Sequence, residues 1–264
     1  MRELERTAAD FSPALPRRVV VVGRGRLGRS IGPALGAAGV EVTGPLGRDD
    51  ASPASADAVL LCVPDSAIVE AAAAYAGVAP LVGHSSGATP VAVLGAADAF
   101  GLHPLQTFAE GGAAFAGVGC AIGGTTARAL AAADALARCL GMRPFELADA
   151  DRPAYHAAAS IASNFLVTLE AAAERVAATT GLERELLVPL VRQTVENWAA
   201  LGPERALTGP VARGDEETVE RQREAVLAAA PELEPLWDAL VTATQALVQE
   251  RGRTPFLHGE VVGR

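Results

Sequence analysis

The sequence predicts an α/β protein, with an N-terminal doubly wound Rossmann domain followed by an all-α C-terminal domain. Three observations predict it. Val19-Val20-Val21-Val22 is an unbroken β-branched run, the pattern of a strand buried on both faces of a parallel sheet. The loop Gly23-Arg24-Gly25-Arg26-Leu27-Gly28 follows directly and opens an Ala/Leu/Gly-rich helix. From about Arg152 the strand–helix alternation gives way to long alanine-rich stretches with helical spacing of Leu, Val and Ile.

The elements are expected in this order. The first helix runs to about Ala38, and a second strand spans Val40 to Thr43. A third strand, Ala58 to Val63, ends in Pro64-Asp65 and leads to a helix through Ala67 to Tyr75. Val78 to Val82 is the next strand, stopping at Gly83-His84-Ser85-Ser86-Gly87, and Pro90 begins a short helix. Short β-type segments follow near Phe100–His103 and Gly119–Ile122. Helices over Pro153–Thr179, Glu183–Leu201, Asp215–Ala229 and Glu232–Gln249 complete the chain, punctuated by prolines and by Gly209-Pro210. The expected domains are 17–149 for the cofactor and 150–258 for substrate and dimerisation, with 1–16 and 259–264 as flexible ends.

Composition narrows the function. The 264 residues carry a net charge of −9, which disfavours nucleic acid or an anionic membrane as partner. The N-terminus lacks the basic and apolar regions of a signal peptide, and no apolar run is long enough to span a membrane. Cys62, Cys120 and Cys139 fit no zinc or redox spacing, so no metal is expected and a cytoplasmic, reducing setting is. The sequence contains no lysine, which excludes any mechanism that needs a catalytic amine.

The glycine loop points to a dinucleotide. Gly23 allows the tight turn, Gly25 lets backbone approach a pyrophosphate, and Gly28 lets helix and strand pack closely. The helix start then offers free N–H groups and positive dipole to the phosphates. NAD sites usually end the second strand with an acid that grips the ribose hydroxyls; here that strand is expected to end at Thr43-Gly44, with Arg48 nearby and Arg24 in the loop. Guanidinium groups suit the 2′-phosphate of NADP, so NADP is the expected cofactor, held by Gly23, Arg24, Gly25, Arg26, Leu27, Gly28, Arg48, Val63 and Pro64.

Gly83-His84-Ser85-Ser86-Gly87 also matches the G-x-S-x-G elbow of serine hydrolases, with His103, His156 or His258 available as base. The Rossmann loop on the first strand and the absence of later strands argue against that reading. In a doubly wound sheet, Pro64-Asp65, Ser85-Ser86 and His103 all fall at strand ends where ligands bind, although the serines also suit turn chemistry. On the first helix of the second domain, His156, Ser160, Ser163/Asn164 and Val167 share one face, to be satisfied by another helix or by a cleft. Thr208 to Gly214 is a loop in which Arg213 could clamp a carboxylate or pair with a helix end, and Asp215 reads as an N-cap.

Together, the glycine loop, Leu61–Asp65, Gly83–Pro90, Gly101-Leu102-His103-Pro104-Leu105-Gln106-Thr107-Phe108 and Leu207–Asp215 resemble one family. It comprises Rossmann-like proteins with a helical C-terminal domain of unknown function, classed among NADP oxidoreductases. The resemblance covers nearly the whole chain after residue 16 and implies fold and cofactor class more firmly than substrate. Related architectures sharpen it. The 3-hydroxyacid dehydrogenases and ketopantoate reductases use Lys-x-x-x-Asn; Ser160-Ile161-Ala162-Ser163-Asn164 is similar in placement, with Ser160 where the lysine would be. Prephenate dehydrogenases have a Gly-x-His-Pro segment like Gly101–Pro104, and a helical stretch that Tyr155-His156…Ser163-Asn164-Phe165-Leu166 modifies. Pyrroline-5-carboxylate reductases reduce an imine without a lysine.

The expected function is an NADP-dependent oxidoreductase acting on a carbonyl or imine of a small, carboxylated metabolite. His103 is the expected acid/base, on the ground that histidine titrates near working pH, with Asn164 and Ser85 beside it. Ser86, His156, Ser160, Thr208 and Arg213 are the expected substrate contacts, and a homodimer through the helical domain the expected assembly. The alternatives are an NADP-sensing module without turnover and an enzyme that couples NADP to a deazaflavin.

Overall fold

The computed structural model describes residues 14–109 and 112–251. The ends expected to be flexible, apart from residues 14–16, lie outside these residues, as does His258. The chain divides into two compact units, Met1–Ser163 and Asn164–Arg264. The composition change at Ala148–Arg152 therefore precedes the structural division by about one short helix.

The first unit is a seven-stranded sheet in the order β2-β1-β3-β4-β5-β6-β7. Its strands are β1 (Arg18–Val22), β2 (Glu41–Leu46), β3 (Ala58–Leu61), β4 (Leu81–His84), β5 (Asp98–Pro104), β6 (Gly119–Gly124) and β7 (Arg143–Glu146). Strands β1 to β5 are parallel; β6 pairs antiparallel to β5 and parallel to β7. The helices are α1 (Arg26–Ala37), α2 (Ile68–Ala74), α3 (Ala127–Cys139) and α4 (Arg152–Ser160).

The period of two along each strand sorts the core into two layers. Val19, Val21, Ala58, Leu60, Phe100 and Leu102 belong to the layer that also holds Ile31 and Leu35 of α1 and Ala129, Ala133 and Leu136 of α3. Val20, Val22, Val59, Leu61, Val82 and Ala99 belong to the other, with Ile68 and Ala72 of α2 and with Val91 and Leu94 of a 3-10 turn. Both layers exclude water, hence the unbroken valine run. Gly83 makes room for Phe100 opposite it on β5: a Cβ there would stand 2.3 Å from the ring. Helix α3, capped by the Thr126 hydroxyl accepting from the Ala129 amide at 3.1 Å, and strand β7 are elements the sequence reading does not single out.

Two strands end later than expected, and both shifts affect the site. Strand β2 continues through a cis Gly44-Pro45 bond to Leu46, and β4 covers Leu81–His84 rather than Val78–Val82. The five parallel strands thus carry at their carboxyl ends the glycine loop, the turn after Leu46, Cys62–Asp65, Ser85–Gly87 and His103.

The second unit is helical. After a π-turn at Ile161–Phe165 come α5 (Leu166–Ala178), α6 (Arg184–Leu201), the short α7 (Pro203–Ala206) and α8 (Pro210–Arg213), α9 (Glu216–Ala229) and α10 (Glu234–Arg251). Asp215 caps α9, accepting from the Thr218 amide at 3.1 Å, as its sequence position predicts. Arg223 ties α9 to α10 through Asp238 at 2.9 Å and through Glu234, and Arg184 makes a two-pronged pair with Glu174. Among the described residues of this unit only Val226 and Ala230 are fully buried hydrophobics. No helix among the described residues is long and apolar enough to cross a membrane.

Candidate functional site

The order β2-β1-β3 reverses the direction in which strands are added, so the crevice between the ends of β1 and β3 is the topological switch point where such sheets bind ligands. The glycine loop lies there, and its three glycines do different things. Gly23 sits at φ 110°, and a Cβ on it would stand 2.2 Å from the Cys62 carbonyl oxygen. A Cβ on Gly28 would stand 1.9 Å from the Gly23 carbonyl oxygen, so the helix start packs onto the loop itself. Gly25, by contrast, faces open space: nothing lies within 4 Å of where its Cβ would be. It is the N-cap of α1, with no side-chain cap and no acid in the first turn. The first N–H groups of α1 are therefore free to meet an anion.

Next to this loop a cavity of about 250 Å³ is lined by Gly23, Arg24, Leu46, Arg48, Val63, Pro64 and Tyr75, among others. Five of the expected cofactor residues thus come together. The Arg26 guanidinium instead reaches the Phe108 carbonyl at 3.4 Å, and Leu27 packs against the core. The expectation that no acid stands at the end of the second strand needs correction. Because β2 runs on to Leu46, the following turn brings Asp50 onto Arg24 as an ion pair, while its carboxylate also accepts the Gly47 amide at 2.8 Å. The exposed Arg48 remains as a second guanidinium on the same cavity. The sequence pattern hid this because a Gly-Pro pair ordinarily ends a strand.

A second cluster stands at the ends of β4 and β5. His103 Nδ1 lies 2.6 Å from the Tyr155 hydroxyl, and the two rings meet edge to face with centroids 5.5 Å apart. Gly87 is wedged between imidazoles: a Cβ on it would stand 2.9 Å from His103 and 3.0 Å from His156. Burial, then the neighbouring charges of His156 and Arg152, push His103 down to about 4. Burial pushes the Tyr155 hydroxyl up to about 12. At neutral pH both groups are uncharged, so the ground on which His103 was expected to act, titration near working pH, does not hold.

Arg152 organises this cluster. It is 1% exposed, its Nε donates to Asp149 at 2.6 Å and its Nη1 to the Ser86 carbonyl at 3.2 Å. Its Nη2 has no partner among the described residues and fits against Gly101, where a Cβ would stand 2.7 Å away. Asp149 in turn accepts the Val91 amide at 3.0 Å. Burial alone would raise the Asp149 pKa, but the Val91 amide and Arg152 outweigh it and hold the carboxyl below its usual range. One ion pair thus joins the start of α4, which carries Tyr155 and His156, to the loop after β4. His84, fully buried, accepts the Ser86 amide at Nδ1 (3.1 Å) and faces the Pro90 carbonyl with Nε2; burial, then Arg152, lowers its pKa.

The serines divide. Ser86 spends its hydroxyl within the turn, accepting the Ala88 and Thr89 amides and donating to Thr89 Oγ1 at 3.0 Å, so turn chemistry accounts for it rather than substrate contact. Ser85 donates to the Leu61 carbonyl at 3.2 Å and, among the described residues, is hydrogen-bonded to no histidine, which removes the base a hydrolase elbow requires. Cys62 and Cys120 are buried, their thiols pushed up to about 12 chiefly by burial, and act as small hydrophobes.

The expected polar face of the helix is interrupted. The π-turn at Ile161–Phe165 resets the register between Ser160 and Val167; His156 and Asn164 are exposed, Ser160 half-buried. His156 and Ser160 belong to the first unit, whereas Asn164, Thr208 and Arg213 belong to the second, the last two exposed near α8. Tyr155, Arg152, Asp149 and His84 are the site residues that sequence reasoning missed. No group of His, Cys, Asp and Glu suited to a metal ion occurs among the described residues.

Residues 118–244 match the family described as a domain of unknown function, DUF2520. No curated protein matches the sequence. Among solved structures, a candidate NADP oxidoreductase from Bacteroides fragilis is similar at TM-score 0.78 and 22% identity, over 89% of this chain and 100% of that one. A Thermotoga maritima protein reaches TM-score 0.71 at 25% identity, again over 89% and 100%. An imine reductase from Streptomyces aurantiacus reaches 0.62 at 16% identity, over 90% and 100%. The resemblance read from the sequence, to Rossmann-like proteins with a helical C-terminal domain of unknown function, stands on these findings.

Proposed function

Starting from a Rossmann unit joined to this family domain, we propose that the protein is an NADP-dependent oxidoreductase that reduces a carbonyl or imine of a small carboxylated metabolite, or oxidises the corresponding alcohol or amine. The observation that carries the reading is the open N-terminus of α1 at the switch point, where Gly25 leaves room for a pyrophosphate beside a cavity holding Arg24 and Arg48. The free amides of α1 would hold the pyrophosphate, and Arg48, with Arg24 once turned from Asp50, the 2′-phosphate. When bound, the nicotinamide supplies or takes the hydride. The names of the Bacteroides and Streptomyces structures agree with this class of chemistry.

The chain's own residues orient and protonate. His103, at the carboxyl end of β5, is the group that meets the substrate oxygen or nitrogen, with His156 beside it at the Gly87 turn and Ser85 just past the end of β4. Ser160, on the same unit, is a further substrate contact. Titrating the protein with NADPH and NADH and following nicotinamide fluorescence tests the cofactor. Arg48→Ala is expected to weaken NADPH more than NADH; an equal loss for both overturns the choice of NADP.

A sensing role without turnover is the second reading, favoured by the absence of lysine and by the uncharged His103. Oxidation of NADPH by any member of a panel of oxo acids and cyclic imines decides against it. The helical unit is the natural dimer surface: Leu186, Leu190 and Trp198 of α6 are 65%, 65% and 57% exposed, and Phe165 is 61% exposed. A second copy covering them gives a homodimer, and Leu190→Glu is expected to yield a monomer in analytical ultracentrifugation. Free, buried thiols suit a cytoplasmic setting.

A further inference from the structure

His103 at neutral pH is an uncharged ring, and an uncharged imidazole gives up a proton only from whichever nitrogen carries one. Which nitrogen that is depends on its partner. The partner is Tyr155: its hydroxyl is 2.6 Å from Nδ1 and makes no other hydrogen bond that the structure describes. Two arrangements are possible. If Nδ1–H donated to the phenolic oxygen, the phenolic proton would have no protein acceptor among the described residues and would depend on water alone. If the phenol donates to Nδ1, one hydrogen bond satisfies both groups and the ring proton sits on Nε2, which faces the Gly87 turn.

We propose that Tyr155 is the positioning residue of His103, holding the imidazole in its Nε2–H form and standing behind it as the source of the replacement proton. The inference rests on the oxidoreductase reading for what the proton is for. A substrate oxygen or nitrogen gaining negative charge takes the proton from Nε2; the Nε2–H bond breaks and the new O–H or N–H bond forms. At the same time the Tyr155 O–H bond breaks and its proton passes to Nδ1. The ring stays neutral throughout with its tautomer exchanged, and the phenolate takes a proton from water. In this way a histidine that holds no spare proton at neutral pH still delivers one. The groups that act on the pair are His156 and Arg152 from α4, His84 from β4, Asp65 after β3 and the thiol of Cys120 on β6.

Long-range 1H–15N spectra of the histidine rings at neutral pH test this on the full-length protein without cofactor. His103→Gln identifies the signal of His103 by its loss. The expected wild-type pattern is a pyrrole-like Nε2 and a pyridine-like Nδ1. Tyr155→Phe is expected to reduce the Nε2–H to Nδ1–H ratio about tenfold, the worth of one ordinary hydrogen bond. The His84 signal, with its proton on Nε2 facing Pro90, reports whether that variant is folded. An Nδ1–H ring in the wild type overturns the inference, and so does an unchanged ratio in folded Tyr155→Phe. Because no cofactor is present, a failed tautomer is distinct from failed NADPH binding, which concerns the oxidoreductase reading alone.

Discussion

The two units of the chain bury themselves differently. In the first, alternate residues of every central strand vanish into one of two core layers, and even a guanidinium is carried inside. In the second, six helices leave only Val226 and Ala230 fully buried among its described hydrophobics, while Leu186, Leu190 and Trp198 stay in solvent. The first unit therefore holds its shape by its own interior. The second is tied by ion pairs such as Arg184 with Glu174, which solvent screens, so it has more to gain from being covered. The groups with fixed hydrogen-bond geometry, His103, Tyr155 and Arg152, all lie in the first; the large exposed apolar side chains of α6 lie in the second.

This contrast can be broken by substitution, beginning where the largest effect is expected. Arg152→Ala empties a buried side-chain volume and removes the tie between α4 and the Ser86 turn, while Asp149 keeps the Val91 amide, and about 2–5 kcal/mol of stability should be lost in urea unfolding. Phe100→Ala, in the layer facing Gly83, should cost a similar ~3–5 kcal/mol. Asp215→Ala in the helical unit removes only a cap and should lower the urea midpoint far less than either of these. Leu190→Ala should change stability by under ~0.5 kcal/mol at fixed oligomeric state, with its effect appearing instead as dissociation on dilution. A loss at Leu190 as large as at Phe100 would mean that the second unit has a core of its own.

Acid sharpens the same contrast. His103 is held below its unfolded pKa, so the unfolded chain binds the proton first and stability falls as pH drops from about 6.5 towards about 4. His84 acts in the same direction. Asp149 is depressed instead, so its contribution is full above the usual carboxylate range and is lost only at still lower pH. Unfolding midpoints between pH 7 and 4 should decline for the wild type and decline less for His103→Gln.

The fold was largely legible because its signals are local. A buried strand followed by a glycine loop announces itself within a dozen residues, and Asp215 sits where a cap must. What escaped has non-local causes. Tyr155 reads as part of an apolar helix face until β5 brings His103 to it from 52 residues away. Arg152 is the residue type least expected inside, and only Asp149 and the Ser86 carbonyl make its burial tolerable. Asp50 was hidden by a strand that passes through Gly44-Pro45, and the expected polar stripe by a π-turn that changes the period.

The packing of Arg152 has a consequence for how this protein can change. Its unpartnered Nη2 rests where a side chain at Gly101 would be, and a Cβ at Gly123 would stand 3.3 Å from the same atom. Positions 101, 123 and 152 are thus one combinatorial unit drawn from two adjacent strands and a helix. A Cβ at Gly101 displaces the guanidinium, whereas one at Gly123 only presses on it; with the arginine gone, Val91 still borders position 101 at 3.0 Å and the Leu147 carbonyl borders position 123 at 3.3 Å. A library that randomises position 101 alone should return mostly glycine; one that varies 101 and 152 together has room for an uncharged solution.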